Sequence, residues 1–159
     1  MTIQATITYI NSERDPYYTA CPQEGCNKKV NASMNNEWVC EKCNRSYENC
    51  MRRYIMSCTV TDTTGQIWVS AFNDIGEQIL KVTADELYEL KETNIMRYEE
   101  VIADALHKTY LMKVRVKEEM VLDAMKQKVT ILKIEPLDFI VESKQCHDLI
   151  MQYVEKFHM

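Results

Sequence analysis

At 159 residues, with only three glycines and three prolines, the chain is not a low-complexity or disordered segment, and it is long enough for one cored domain plus a small insert. No apolar run approaches the length that spans a bilayer, and no signal peptide is seen, so a reducing cytosolic or nuclear setting is expected. The net charge of −5 would speak against a nucleic-acid partner if it were spread evenly, but residues 77–104 carry net −5, 108–133 net +4 and 21–54 net +2.

Residues 3–10 alternate Ile3, Ala5, Ile7 and Tyr9 with Gln4, Thr6 and Thr8, which predicts a half-buried first strand with Tyr9 on its apolar side. A turn-rich stretch over 11–16 leads into a cysteine-bearing module at 17–50. That module interrupts a strand pattern which resumes at 54–61, as an insertion does. Asp62-Thr63-Thr64-Gly65 reads as a hairpin turn, with 66–72 as the return strand. From Asn73 the apolar period becomes helical through Ile75, Ile79, Leu80, Leu87, Leu90, Tyr98, Val101, Ile102 and Ala105, and Thr83 and Asn94 are helix starts. Two further strands, 110–117 and 126–137, are expected on either side of a loop at 118–125. The last element, 143–158, is a helix with Cys146, Leu149, Ile150, Tyr153, Val154 and Phe157 along one stripe.

This order predicts a mainly β fold: a five-stranded barrel of OB type, with an inserted ribbon, a helical segment between strands three and four, and a C-terminal amphipathic helix. An α+β sandwich is the competing arrangement. The corresponding organisation is an OB domain at 1–142 containing the ribbon at 17–50, then an oligomerisation helix at 143–159. The terminal stripe either packs on its own domain or zips with helices of partner chains through Leu149, Ile150, Tyr153, Val154 and Phe157.

Four of the seven cysteines carry the sharpest chemical signal: Cys21-x4-Cys26, thirteen residues, then Cys40-x2-Cys43. Two short thiolate hooks separated by such a loop close a tetrahedral sulfur site, the coordination Zn2+ takes when it builds structure rather than doing chemistry. A disulfide framework is disfavoured by the expected reducing setting and by the odd cysteine count. Cys50 is a competing fifth candidate. Cys58, in a strand, and Cys146, on an apolar helix face, read as small hydrophobes.

On strand 66–72, Ile67, Val69 and Ala71 point one way, as barrel interior, and Trp68, Ser70 and Phe72 the other. Trp68 and Phe72 stand roughly 13 Å apart at ~3.3 Å per residue, about two steps of an extended single strand. They are either stacking platforms for bases or core with the faces exchanged. Lys113, Arg115 and Lys117 share one face of the fourth strand, and Lys126 and Lys128 share a face at the start of the fifth. Cations flanking an aromatic pair form a track for phosphates, so Trp68, Phe72, Arg115, Lys117, Lys126 and Lys128 are the candidate single-stranded DNA contacts. No nucleophile–base pair, phosphate loop or dinucleotide motif is present, and no H-x-E accompanies the cysteine hooks. The chain is not expected to be an enzyme.

Through Tyr18-Thr-Ala-Cys-Pro, Cys26-Asn-Lys-Lys-Val30, Trp38-Val-Cys-Glu-Lys-Cys43, Trp68-Val-Ser-Ala-Phe72, Val114-Arg-Val-Lys117 and Pro136-Leu-Asp-Phe139, the sequence resembles the C-terminal DNA-binding domain of the replication protein A large subunit. The resemblance covers nearly the whole chain. It implies an OB-fold with a zinc ribbon inserted after the first strand, with Cys21, Cys26, Cys40 and Cys43 as ligands and Trp68 and Phe72 as base-stacking aromatics. It further implies single-stranded DNA as partner in replication, repair and recombination, a nuclear location, and a helix bundle with the two smaller OB-fold subunits of a heterotrimer. One departure stands out. Where the family usually carries Tyr-Asn-Asp between strands four and five, this chain has Val121-Leu122-Asp123, so weaker or redistributed contacts are expected there. The chain is also shorter than a full large subunit: an excised domain, or a reduced paralogue such as one specialised for telomeric ends. The alternative function is chiefly that of an assembly scaffold.

Overall fold

The computed structural model describes residues 1–157. His158, where the predicted terminal helix ends, lies outside the described residues. Strands β1 (Thr2–Ile10), β6 (Met51–Thr61), β7 (Gln66–Phe72), β8 (Thr109–Val121) and β9 (Ala124–Pro136) form the main sheet together with the short β2 (Tyr17–Ala20). The order is β1-β8-β9-β7-β6-β2, and β1 also pairs with β6, so the pairings return to the strand they started from. All are antiparallel except β7 with β9, which is parallel at Ser70 and Thr130. Between β2 and β6, β3 (Asn31–Ala32), β4 (Trp38–Cys40) and β5 (Arg45–Tyr47) make a separate three-stranded ribbon.

Helices α1 (Asn73–Leu80), α2 (Ala84–Thr93) and α3 (Ile95–Ala105) lie between β7 and β8. Both predicted starts carry caps. Thr83 accepts from the Glu86 amide while Glu86 reaches back to the Thr83 amide, and Asn94 accepts from the Arg97 amide. Tyr54 is the pin of this end of the core: it is fully buried and its hydroxyl donates to the Val82 carbonyl at 2.8 Å. Gly76 lies against its ring, where an added Cβ would fall 2.6 Å from Tyr54 Cβ, so α1 approaches β6 only because that position is glycine.

The hairpin turn at Asp62 to Gly65 forms as its residues predict, with Asp62 Oδ1 accepting from the Thr64 amide at 2.7 Å and the Gly65 amide at 3.2 Å. Four expectations need correction. First, β1 has no partner opposite Thr8, since Ile7 pairs with Val60 and Tyr9 with the next residue, Thr59. The extra residue inverts the alternation, so Ile10 is buried and Tyr9 faces solvent. Second, Ile67, assigned to the interior, is exposed at the outer end of β7, whereas Val69 and Ala71 are buried.

Third, residues 118–125 are not a loop. β8 and β9 pair throughout, up to Val121 opposite Ala124, and turn through Leu122 and Asp123 at φ 50° and 61°. Two successive left-handed residues give the two-residue hairpin turn that matches strand twist. Fourth, the last helix, α4 (Phe139–Phe157), begins at Phe139 rather than at 143. Asp138 Oδ1 accepts from the amides of Ile140 and Val141, which caps the helix four residues early. No α4 side chain among the described residues is buried. Leu149, Ile150, Tyr153, Val154 and Phe157 are all exposed, as is Cys146, and Tyr153 stacks on Phe157 at 6.3 Å. No helix among the described residues is long and apolar enough to cross a membrane.

Candidate metal centre and nucleic-acid interface

Each cysteine hook is shaped by its backbone. Cys26 and Cys43 are both followed by asparagine, at φ 55° for Asn27 and 58° for Asn44. Asparagine enters the left-handed region more readily than other β-carbon residues, so each hook curls back after its second sulfur. The Sγ atoms of Cys21, Cys26, Cys40 and Cys43 lie within 4.8 Å of one another, a group that can hold a metal ion. Neighbouring sulfurs stand 3.8 Å (Cys21–Cys43), 3.7 Å (Cys26–Cys40) and 3.4 Å (Cys43–Cys26) apart. Cys50 packs against this cluster but is not in the four-sulfur group.

Two further features suit a thiolate-bound cation. The Cys43 amide donates to Cys40 Sγ at 3.4 Å, which pulls the Cys40 thiol below its ordinary pKa, while the hydrogen bond with Cys26 pushes the Cys43 thiol up to about 12. The Tyr47 hydroxyl is buried without a hydrogen-bond partner beside the sulfurs of Cys21 and Cys43, and burial pushes its pKa up to about 12. A sulfur bound to a metal would be an acceptor for it.

Trp68 and Phe72 stand on the outer face of β7, 56% and 43% exposed, which excludes the reading of either as core. Trp68, Ser57, Ser70, Val121, Lys126 and Lys128 line one groove of about 250 Å3 between β7 and the β8–β9 hairpin. Phe72 lies beyond it, at the end of β7, beside the exposed Ile55. Arg115 and Lys117 are exposed on β8 outside this lining, with Lys117 opposite Lys128 in the ladder. The track is not purely cationic, since Glu119 enters the groove opposite Lys126 and sits 3.8 Å from Lys117 Nζ. A larger cavity, about 880 Å3, lies at Lys81, His107 and Pro136 and contains none of the predicted contacts.

Sequence periodicity missed one aromatic. Tyr9, turned outward by the irregularity at Thr8, meets Trp68 edge-on with centroids 5.8 Å apart at 89°. Tyr9, Thr59 and Trp68 form a row across three strands, and the two rings bury the Thr59 between them. No local signal marks a bulge at Thr8. Only the count of Ile10 as a further apolar residue hints that the alternation slips.

The sequence model for the replication factor-A C-terminal domain matches residues 1–146. The chain is 39% identical over 154 residues to a 70 kDa DNA-binding subunit of replication protein A from Oryza sativa subsp. japonica, covering 94% of this chain and 23% of that protein. It is 36% identical over 148 residues to replication factor A protein 1 of Schizosaccharomyces pombe, covering 93% and 24%. The chain thus spans about a quarter of the length of the curated relatives it matches. Among solved structures, it superposes on a replication protein A heterotrimer bound to ssDNA with a TM-score of 0.87 and 39% identity, covering 94% of this chain and 34% of that one. Yeast RPA bound to ssDNA gives a TM-score of 0.88 at 27% identity, covering 96% and 85%. The sheet is OB-fold-like, with four helices, and resembles theirs. By this match and these identities, the chain belongs to the replication factor-A C-terminal domain family.

Proposed function

We propose that this chain is a non-catalytic single-stranded DNA-binding module of a replication-protein-A-like heterotrimer, acting in nuclear DNA replication, repair and recombination. The observation that carries this reading is the groove in which an exposed Trp68 meets Lys126 and Lys128. An indole face stacks on any base, and ammonium groups beside it take phosphates, so binding depends on salt and carries little sequence preference. Phe72 continues the stacking row, and Arg115 and Lys117 add cations on β8. The pairing circuit β1–β8–β9–β7–β6–β1 supports a closed five-stranded OB barrel with the ribbon as insert. The relatives and the DNA-bound structures support the same ligand class.

Zn2+ fills the four-cysteine site in this reading. Zn–S bonds of about 2.3 Å in a tetrahedron set sulfurs about 3.8 Å apart, close to the 3.8 Å of Cys21–Cys43 and the 3.7 Å of Cys26–Cys40. Cys21, Cys26, Cys40 and Cys43 would hold the ion, which would tie the ribbon together and leave no open position for chemistry.

The test is fluorescence anisotropy of a labelled oligo-dT of about thirty nucleotides at roughly 50 and 200 mM salt, with duplex as control. Salt-sensitive binding of the single strand over duplex is the expected result. No binding at low salt would return Trp68 and Phe72 to bystanders.

A second role, assembly, is favoured by the wholly exposed stripe of α4. In this role α4 joins a helix bundle with the two smaller subunits. Leu149→Asp or Tyr153→Asp should abolish co-purification with those subunits and leave the thermal melt of this domain unchanged. Capture of both subunits by a chain lacking α4 would place the interface elsewhere.

A further inference from the structure

Alternate residues of a strand share a side, so Arg53, Ile55, Ser57 and Thr59 of β6 face one way. Cross-strand partners extend that face. Thr59 lies opposite Trp68 and Ile55 opposite Phe72 on β7, while on the other flank Arg53 lies opposite Tyr18 on β2. Directly opposed residues of an antiparallel ladder point to the same side. Tyr18 and Arg53 therefore occupy the face that carries Trp68 and Phe72, at the end where the sheet meets the cysteine ribbon.

Their neighbours point the other way. Arg52 pairs with Asp85 at 3.3 Å and lies 3.4 Å above the Tyr88 ring, and Tyr54 is fully buried under the helices. Arg53, by contrast, makes no ion pair among the described residues. The Tyr18 hydroxyl donates to the Asn27 carbonyl at 3.0 Å, which tethers the ring to the first cysteine hook. Strand spacing of ~4.8 Å and a rise of ~3.3 Å per residue put Tyr18 about 12 Å past Phe72. That nearly repeats the step from Trp68 to Phe72.

We infer that the strand-binding face continues past Phe72 onto the stem of the ribbon, where Tyr18 stacks a further base and Arg53 takes a phosphate. This rests on the reading of Trp68 and Phe72 as stacking residues. A guanidinium with no carboxylate partner is suited to bidentate phosphate contact, and a ring already fixed at its hydroxyl loses little freedom on stacking.

The experiment titrates the full chain with oligo-dT of about four and about ten nucleotides, lengths within the site sizes of an OB fold. Tyr18→Ala should weaken the longer oligonucleotide roughly tenfold and leave the shorter unchanged. Tyr18→Phe, which keeps the ring but not its tether, should lose much less than Tyr18→Ala does. Arg53→Gln should flatten the log–log salt slope for the longer oligonucleotide by about 0.7. Equal losses at both lengths, shared by Tyr18→Phe, would mean that Tyr18 only holds the ribbon, and the extension would be wrong. If Tyr18→Ala and Arg53→Gln match the parent while Trp68→Ala/Phe72→Ala loses binding, the extension alone is overturned. If that double variant also binds as the parent, the underlying reading goes with it.

Discussion

Replacing Trp68 and Phe72 together by alanine should lower affinity for oligo-dT by about 2–6 kcal/mol, from roughly 1–3 kcal/mol per stacked base. Trp68→Ala should be the more costly single change, because the indole is the larger ring and lines the groove that also holds Lys126 and Lys128. Both side chains are exposed, so the thermal midpoint should move little, and a binding loss is not a folding loss. The salt slope supplies a second check. Removing rings deletes no phosphate contact and should leave the slope unchanged, whereas removing Lys126 or Lys128 should reduce it by about 0.7 each. Parental affinity in the double variant would remove stacking from the account.

With the four-cysteine site filled as proposed, stripping the metal should melt the ribbon while the main sheet stays folded. The two units have separate cores. The ribbon's fully buried residues are Cys21, Val30 and Cys40, with Trp38 and Tyr47 packed against them, while the core of the main sheet and helices runs from Ala5 to Ile134 without any of these. Much of what holds the ribbon is thus the site itself, and structural zinc contributes on the order of 10–16 kcal/mol in small finger peptides. The chain has two tryptophans, one in each unit, so Trp68→Phe leaves Trp38 as a private reporter of the ribbon. Chelation should shift Trp38 emission and weaken oligo-dT binding, with far-ultraviolet signal from the main sheet retained. Cooperative loss of both signals would make ribbon and main sheet one folding unit.

What was legible in the sequence follows from how local its cause is. Caps at Thr83 and Asn94, the Asp62 turn and the cysteine hooks are set by side chains reaching two to four residues, and each was readable. Simple alternation put Trp68 and Phe72 on one face of their strand but left open whether that face was outer or core, which their exposure decides. The errors fall where pairing partners decide. Thr8 slips out of register because Val60 and Thr59 take up Ile7 and Tyr9, which only the folded sheet reveals. The β8–β9 hairpin defeated the loop expectation because Leu122 and Asp123 lack the Asn-Gly signature of their turn, and their left-handed backbone is imposed by the long ladder on either side. Asp138 was a missed signal rather than an invisible one, since an aspartate after Pro136 and before an apolar run is an ordinary helix start.

The alternation of β6 sorts charge as well as shape. Arg52 and Tyr54 look toward the helices that hold the net −5 block of residues 77–104, while Arg53 and Ile55 look toward the face that β7 shares. The net +4 segment, 108–133, forms the hairpin flanking that same face. Charge is therefore unevenly placed, acidic among the helices and more basic along the hairpin, although the total is negative. A polyanion at a distance is repelled by the sum, yet within a Debye length, about 10 Å at 0.1 M salt, it feels a torque that turns the groove to meet it. For a groove that binds a strand as proposed, a net negative charge would then act as a filter on approach, favouring the orientation that keeps the helical side away from it.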